Sequence, residues 1–372
     1  MSASSLANAS NDLNPFIITM SARALFDLEE SHQIFKEKGL KEFERYHEER
    51  INEPLDPGPL LGFAKKLFKF NDERPEGVRP FEVVLLSRNS TETALRVLNT
   101  IDKMKLPFIR AVFTGGEPSS TYVEAIGAHL FLSANEEEVE KVIRECGIAA
   151  ATVYSPKDKN YRNSVDDSEI RIAFDGDAVV FGDDAEKVYG EMGLNGFQDH
   201  EAKNAHLPLS DGPFKSMLEA IHDIQECYED RDQCPIKTAL ITARSMPAHM
   251  RAINTLKSWG LRINTAIFLG GRKKTPFLKA FKADLFFDDA RLNVEHALEA
   301  GPAGHVPYGI RNSTVDPSKK FSGADEVGKV TVVGPSKNVV EEPLAPSQVK
   351  LEVVSPELSG VSKTRTPGPG RR

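Results

Sequence analysis

The chain has 372 residues, 47 basic against 55 acidic, for a formal net charge of −8. That length accommodates two domains of ordinary size, and the acidic balance argues against a nucleic-acid polymer or an anionic membrane surface as partner. Three cysteines, Cys146, Cys227 and Cys234, with no CxxC spacing, exclude a disulfide framework and a zinc knuckle.

Residues 1–14 (MSASSLANASNDLN) show no basic stretch followed by an apolar one and are expected to be a disordered N-terminus, not a secretory signal. No apolar run approaches the ~20 residues of a transmembrane helix, so the expected location is the cytoplasm. From Phe16 onward strand-like and helix-like runs alternate. The strand candidates are FIITM (16–20), FEVVLLS (81–87), RAVFTG (110–115), HLFLS (129–133), RIAFD (171–175), KTALIT (237–242), TAIFLG (265–270) and DLFFD (284–288). Between them, Ala94, Leu95, Val97, Leu98 and Ile101, then Met217, Ile221 and Ile224, then Ile253, Leu256 and Leu261, recur at helical spacing. This is the pattern of an α/β protein with parallel sheets flanked by helices. After about 312 Ser, Pro, Gly and Lys take over, and residues 312–372 are expected to be a disordered tail in which KVTVV (329–333) and KLEVV (350–354) are weak strand candidates.

An internal repeat organises the folded body. Residues 81–135 align without a gap on 236–290 at an offset of 155, pairing Ser87 with Thr242, Asn99-Thr100 with Asn254-Thr255 and Gly115-Gly116 with Gly270-Gly271. Upstream the offset is 154, pairing Phe43 with Phe197 and Gly58-Pro59 with Gly212-Pro213. Hydrophobic rhythm alone would not keep such pairs in one register, so two tandem, related Rossmann-like units are expected, at 15–160 and 161–311.

The repeat also acts as a control on the chemistry. Asp175 aligns with Ser21, Asp177 with Arg23, Lys274 with Ser119, Asp288 with Ser133 and Asp289 with Ala134. The four carboxylates and the lysine of the possible site are confined to the second copy, as a site would be and a shared structural role would not. In a parallel sheet, ligands bind beyond the C-terminal strand ends, where Asp175, Thr242 and Asp288-Asp289 fall if their strands are neighbours. Carboxylates gathered there require a cation, and hard oxygen ligands suit Mg²⁺. Taken singly, each signal has a plainer reading: a solvated turn for Asp175-x-Asp177, a helix cap for Asp288-Asp289 or for Thr242-Ala243-Arg244, a solvated basic face for Arg272-Lys273-Lys274. The order Asp-x-Asp, Thr, Lys, Asp-Asp on successive strand ends is more specific than any member, and it points to phosphoryl transfer.

That order resembles the haloacid dehalogenase-like phosphatases. RIAFDGDAVVF, the Gly-Pro turn at 212–213, ITARS, LKSWGLRINTAIFLGG, FFDDA and HVPYG (305–309) together resemble the cytosolic 5′-nucleotidase type I family, as do SARALFDLEE, NEPLDPGP, FTGG and IAAATVYSP in the first half. The resemblance covers roughly residues 16–311. It implies a Mg²⁺-dependent 5′-nucleotidase acting on nucleoside 5′-monophosphates, in which Asp175 attacks phosphorus to form an aspartyl-phosphate and Asp177 is the general acid and base. Thr242 and Lys274 then bind the phosphate. Asp175, Asp177 (through its carbonyl), Asp288 and Asp289 form the metal site. Substrate contacts are expected from Ala243, Arg244 and His206. The segment at about 183–235 is expected to form a small helical cap, in which His200, Glu201 and His206 face solvent or substrate, and the family implies a homo-oligomer. Two alternatives stay open: a phosphatase of another small phosphoester, and a nucleotide-binding regulatory protein with little turnover.

Overall fold

Parallel strands buried on both faces need near-continuous apolar runs, and the chain supplies them in the computed structural model, which describes residues 15–74, 78–158 and 169–312. The strands are β1 (Phe16–Met20), β2 (Phe81–Ser87), β3 (Ala111–Phe113), β4 (Leu130–Ser133), β5 (Ala149–Tyr154), β6 (Ile170–Phe174), β7 (Ile236–Thr242), β8 (Thr265–Phe268), β9 (Leu285–Asp288) and β10 (Ala303–His305). They form one sheet in the order β3-β2-β1-β4-β5-β10-β9-β6-β7-β8. Every neighbouring pair is parallel except β5 with β10. The eight expected strands lie within two residues of observed ones. The sequence reading does not reach β5 or β10, whose AAATVY and AGH are too rich in Ala and Gly to carry a β signal. The expected terminal disorder and the two tail strands fall outside the described residues, Asn312 apart.

Read inward from either outer edge, the strand order is the same: β3-β2-β1-β4-β5 and β8-β7-β6-β9-β10. The registers correspond too. Phe16 pairs with Phe81 and Ile170 with Ile236, while Ile18 pairs with Leu130 and Ile172 with Leu285. The paired residues of the sequence repeat have matching jobs. Asn99 Nδ2 donates to the Ile51 carbonyl at 3.0 Å and Asn254 Nδ2 to that of Ala205 at 2.7 Å. Thr100 Oγ1 accepts from Leu55 N at 3.1 Å and Thr255 Oγ1 from Leu209 N at 2.9 Å. Gly58 and Gly212 pass against backbone: a Cβ there would lie 2.6 Å from Leu25 C and 2.4 Å from the Phe181 and Val179 oxygens.

One apolar layer covers a whole face of the sheet, with helices Leu61–Asp72 and Lys215–Glu226 contributing Leu67, Phe70, Met217 and Ile221. Two smaller clusters cover the other face, under helices Ser120–Ile126 and Glu136–Lys141 in the first half and Thr275–Phe281 and Arg291–Ala297 in the second. Because β5 and β10 are antiparallel, the C-terminal strand ends of the two halves open on opposite edges of the sheet. No helix among the described residues is long and apolar enough to cross a membrane.

Candidate active site

Strands β9, β6 and β7 are adjacent, so the residues at their C-terminal ends converge. Asp175 follows β6 and caps the next turn, its Oδ1 accepting from Gly176 N at 2.7 Å. Thr242 ends β7 and its Oγ1 accepts from Arg244 N at 3.2 Å. Asp288 ends β9, with Oδ1 accepting from Ala290 N at 2.9 Å and from Asn293 Nδ2 at 3.1 Å. The capping readings of Thr242 and Asp288 therefore describe part of what these side chains do.

Lys274 ties the strands together. Its Nζ lies 2.7 Å from Asp175 Oδ2 and 2.6 Å from Asp288 Oδ2. Of the basic run, Arg272 and Lys273 are exposed and Lys274 is buried. Burial works against its charge, but Asp175 and Asp288 outweigh that and raise its pKa.

The carboxylates outnumber the cations. Asp175, Asp288 and Asp289 each offer an oxygen within 4.8 Å of the others, yet neither Asp289 oxygen has a hydrogen-bond partner among the described residues. Burial, then the charges of Asp175, Glu186 and Asp288, push Asp289 up to about 9. Burial also pushes Asp175 up to about 7, Lys274 opposing and Asp288 adding to the rise. Glu186 is pushed up to about 7 by burial, against the pull of Arg311. Arg311 Nε reaches Glu186 Oε1 at 2.9 Å, while Glu186 Oε2 has no partner among the described residues. Orphaned hard oxygens around a partly neutralised core are of the type that could hold a divalent cation.

Asp177 turns elsewhere. Its carboxylate accepts a fork from Arg244, Nε to Oδ2 at 2.9 Å and Nη2 to Oδ1 at 2.6 Å, and Ala178 beyond it takes a left-handed φ of 58°. Arg244 also donates through Nη1 to Glu201, on helix Asp184–Lys203, and Arg251 Nη1 reaches the other Glu201 oxygen at 2.7 Å. Burial disfavours the Glu201 charge, but the two arginines hold its pKa below the usual range. Glu201 is thus fully buried, facing neither solvent nor an open pocket. Arg244, expected to touch substrate, is 3 % exposed, because two carboxylates already take up its guanidinium. Ala243 is exposed on the turn after β7, and its carbonyl accepts from Gly271 N at 3.0 Å. His206 is exposed just past helix Asp184–Lys203. Lys215–Glu226, the later part of the expected cap, packs into the core, which leaves Asp184–Lys203 as the helix beside the site.

Glu186, Asn293 and Arg311 are absent from the sequence reading. Arg311 stands just past the quoted HVPYG, where Gly309 (φ +82°) brings the chain against the site: a Cβ there would lie 2.9 Å from Ala178 Cβ. That contact was the available clue, and it requires the fold to be seen.

The profile of the family described as 5′-nucleotidase matches residues 8–313. Human cytosolic 5′-nucleotidase 1B is 34% identical over 318 residues, 83% of this chain. The chain spans about half the length of that curated relative, 50% of it being covered. A solved histidinol dehydrogenase from Elizabethkingia anophelis aligns over 75% of this chain and 74% of its own at 8% identity, with a TM-score of 0.19, too low to indicate a shared fold.

Proposed function

The chain belongs to the 5′-nucleotidase family, and we propose that it hydrolyses nucleoside 5′-monophosphates to nucleoside and phosphate. The observation that carries this reading is the Lys274 ammonium bridging Asp175 and Asp288 beside Asp289, whose two oxygens lack partners among the described residues. Asp175, Asp288 and Asp289 would hold Mg²⁺ together with the backbone carbonyl of Asp177. Bound there, the ion supplies charge neutralisation for the phosphoryl oxygens.

In this reading an Asp175 oxygen bonds to phosphorus as the bond from phosphorus to the ribose 5′-oxygen breaks. Asp177 gives that oxygen its carboxyl proton. Water then attacks the aspartyl-phosphate, Asp177 takes a proton from it, and the Asp175 carboxylate leaves. Thr242 and Lys274 hold the phosphoryl oxygens, and Lys274 offsets the charge of Asp175 throughout. Arg244 grips both oxygens of Asp177, so the proton moves only when that grip loosens. Glu201 competes for the same guanidinium, which gives the cap helix a hold on the acid–base group.

The matched strand order, registers and Asn-Thr contacts of the two halves support their origin by tandem duplication of a haloacid dehalogenase-like unit, the second copy having kept the chemistry. Phosphate release from a panel of nucleoside monophosphates and sugar phosphates, with Mg²⁺ and with chelator, tests the reading. Mg²⁺-dependent release from a nucleoside monophosphate, lost in Asp175→Asn, is expected; no release from any of them sinks it.

A further inference from the structure

The first half keeps a cavity where the second half keeps its carboxylates. It measures about 360 Å³, inside the ~300–1,000 Å³ range of small-ligand sites, and opens at the C-terminal ends of β1, β2 and β4. Its floor is formed by Ser21, Arg23, Ser87, Asn89, Ser119 and Ser133. Ser21 follows β1 as Asp175 follows β6, Ser87 ends β2 as Thr242 ends β7, and Ser133 ends β4 as Asp288 ends β9. The acidic residues have thus become hydroxyls, and the position of Asp177 carries a guanidinium. We propose that this cavity is a second binding site, specific for a nucleoside 5′-phosphate, that holds its ligand without a metal ion and without hydrolysing it.

The chemistry of the lining selects that ligand. Arg23 and Arg88 are the two guanidinium groups on the cavity wall. Among the described residues Arg23 pairs at 3.0 Å with Glu29, whose side chain is 70% exposed, and such an exposed pair is worth little, so a phosphate displaces it readily. Arg88 Nη1 lies 3.4 Å from the buried carboxylate of Glu138, whose other oxygen accepts from Ser119 N at 2.6 Å. That one acid on the floor is therefore already neutralised. Asn89 also lines the cavity, its Oδ1 accepting from Ser87 Oγ at 2.8 Å. Across from these groups stand Leu28, Phe35, Leu40 and Phe43. Phe35 is 45% and Leu40 54% exposed, an apolar roof left open over a cationic floor. An anionic group at one end and a flat apolar ring at the other is the form of a nucleoside phosphate. None of the acidic trio of the second half has an acidic counterpart here, and the one cavity carboxylate, Glu138, is taken up by Arg88 and by Ser119 N.

The test is calorimetric titration of the full chain in excess EDTA with adenosine 5′-monophosphate, ribose 5-phosphate and adenosine. One equivalent of the nucleotide is expected to bind, at least tenfold more tightly than either fragment. Arg23→Glu and Phe35→Ser, whose side chains are 29% and 45% exposed and so compatible with folding, are each expected to weaken it at least tenfold. Absence of binding in EDTA, or unchanged affinity in both variants, overturns the proposal; ribose 5-phosphate binding as tightly as the nucleotide overturns the role of the roof. A protein that hydrolyses nothing can still pass this test, so its outcome is separate from that of the proposed activity.

Discussion

Asp289 is a buried carboxyl group, 1 % exposed, whose oxygens have no partner among the described residues; burial and the neighbouring carboxylates disfavour its charge, and on the proposed reading a bound cation offsets that cost. Its replacement by Asn is expected to leave the metal-free protein at least as stable as the wild type. In Mg²⁺ at about a hundred times its Kd, the wild type should gain about 2.7 kcal/mol and the variant little. Thermal melts with and without Mg²⁺ decide this, and equal Mg²⁺ shifts in the two proteins would refute the metal assignment. At this scale the acidic cluster was legible, because Ser21 and Ser133 stand at the matching strand ends of the other half, so the fold itself does not require Asp175 or Asp288. Glu186 and Arg311 were not legible: they meet through space, from a helix and from the chain after the last strand, and no spacing encodes that meeting.

Helix Leu40–Glu49 carries a second buried group, His47, 1 % exposed with neither ring nitrogen partnered among the described residues. It packs against the rings of Phe43 and Tyr46. Burial, aided by the nearby Arg96 charge, pushes its pKa down to about 4. The unfolded chain therefore binds a proton between about pH 6.5 and 4 that the folded chain refuses. Stability is full above pH 6.5 and falls as the pH drops toward 4, by an amount on the order of 3 kcal/mol. His47→Met is expected to flatten that slope; urea midpoints at pH 7 and pH 5 measure it, and parallel slopes would count against the assignment. Elements with strong apolar runs were readable in advance. β5 and β10 were not, since Ala and Gly there are selected by close packing instead of β preference: a Cβ on Gly304 would lie 2.9 Å from both Ala151 Cβ and Phe287 Cδ1.

At the scale of the whole molecule, those two strands are the seam. Gly304→Val drives a side chain into the seam, and overpacking of this kind costs about 1–3 kcal/mol. A melting temperature lower by several degrees is expected, with loss of cooperativity between the halves; an unchanged melt would show that the seam yields easily. The matching strand order of the two halves of the sheet was foreshadowed by the aligned sequence stretches, but their opposed orientation depends on one antiparallel pairing that no motif announces. The same pairing bears on how the protein is made. Among the described residues β10 is the last strand in chain order, and it sits near the middle of the sheet. A ribosome finishes β5 and then adds about 150 residues before β10 emerges, an interval of roughly 10–30 s at ordinary elongation rates. Throughout it the first half has an unpaired strand edge, the kind of surface that recruits foreign strands, and the nascent chain is at its most vulnerable until β10 closes the gap.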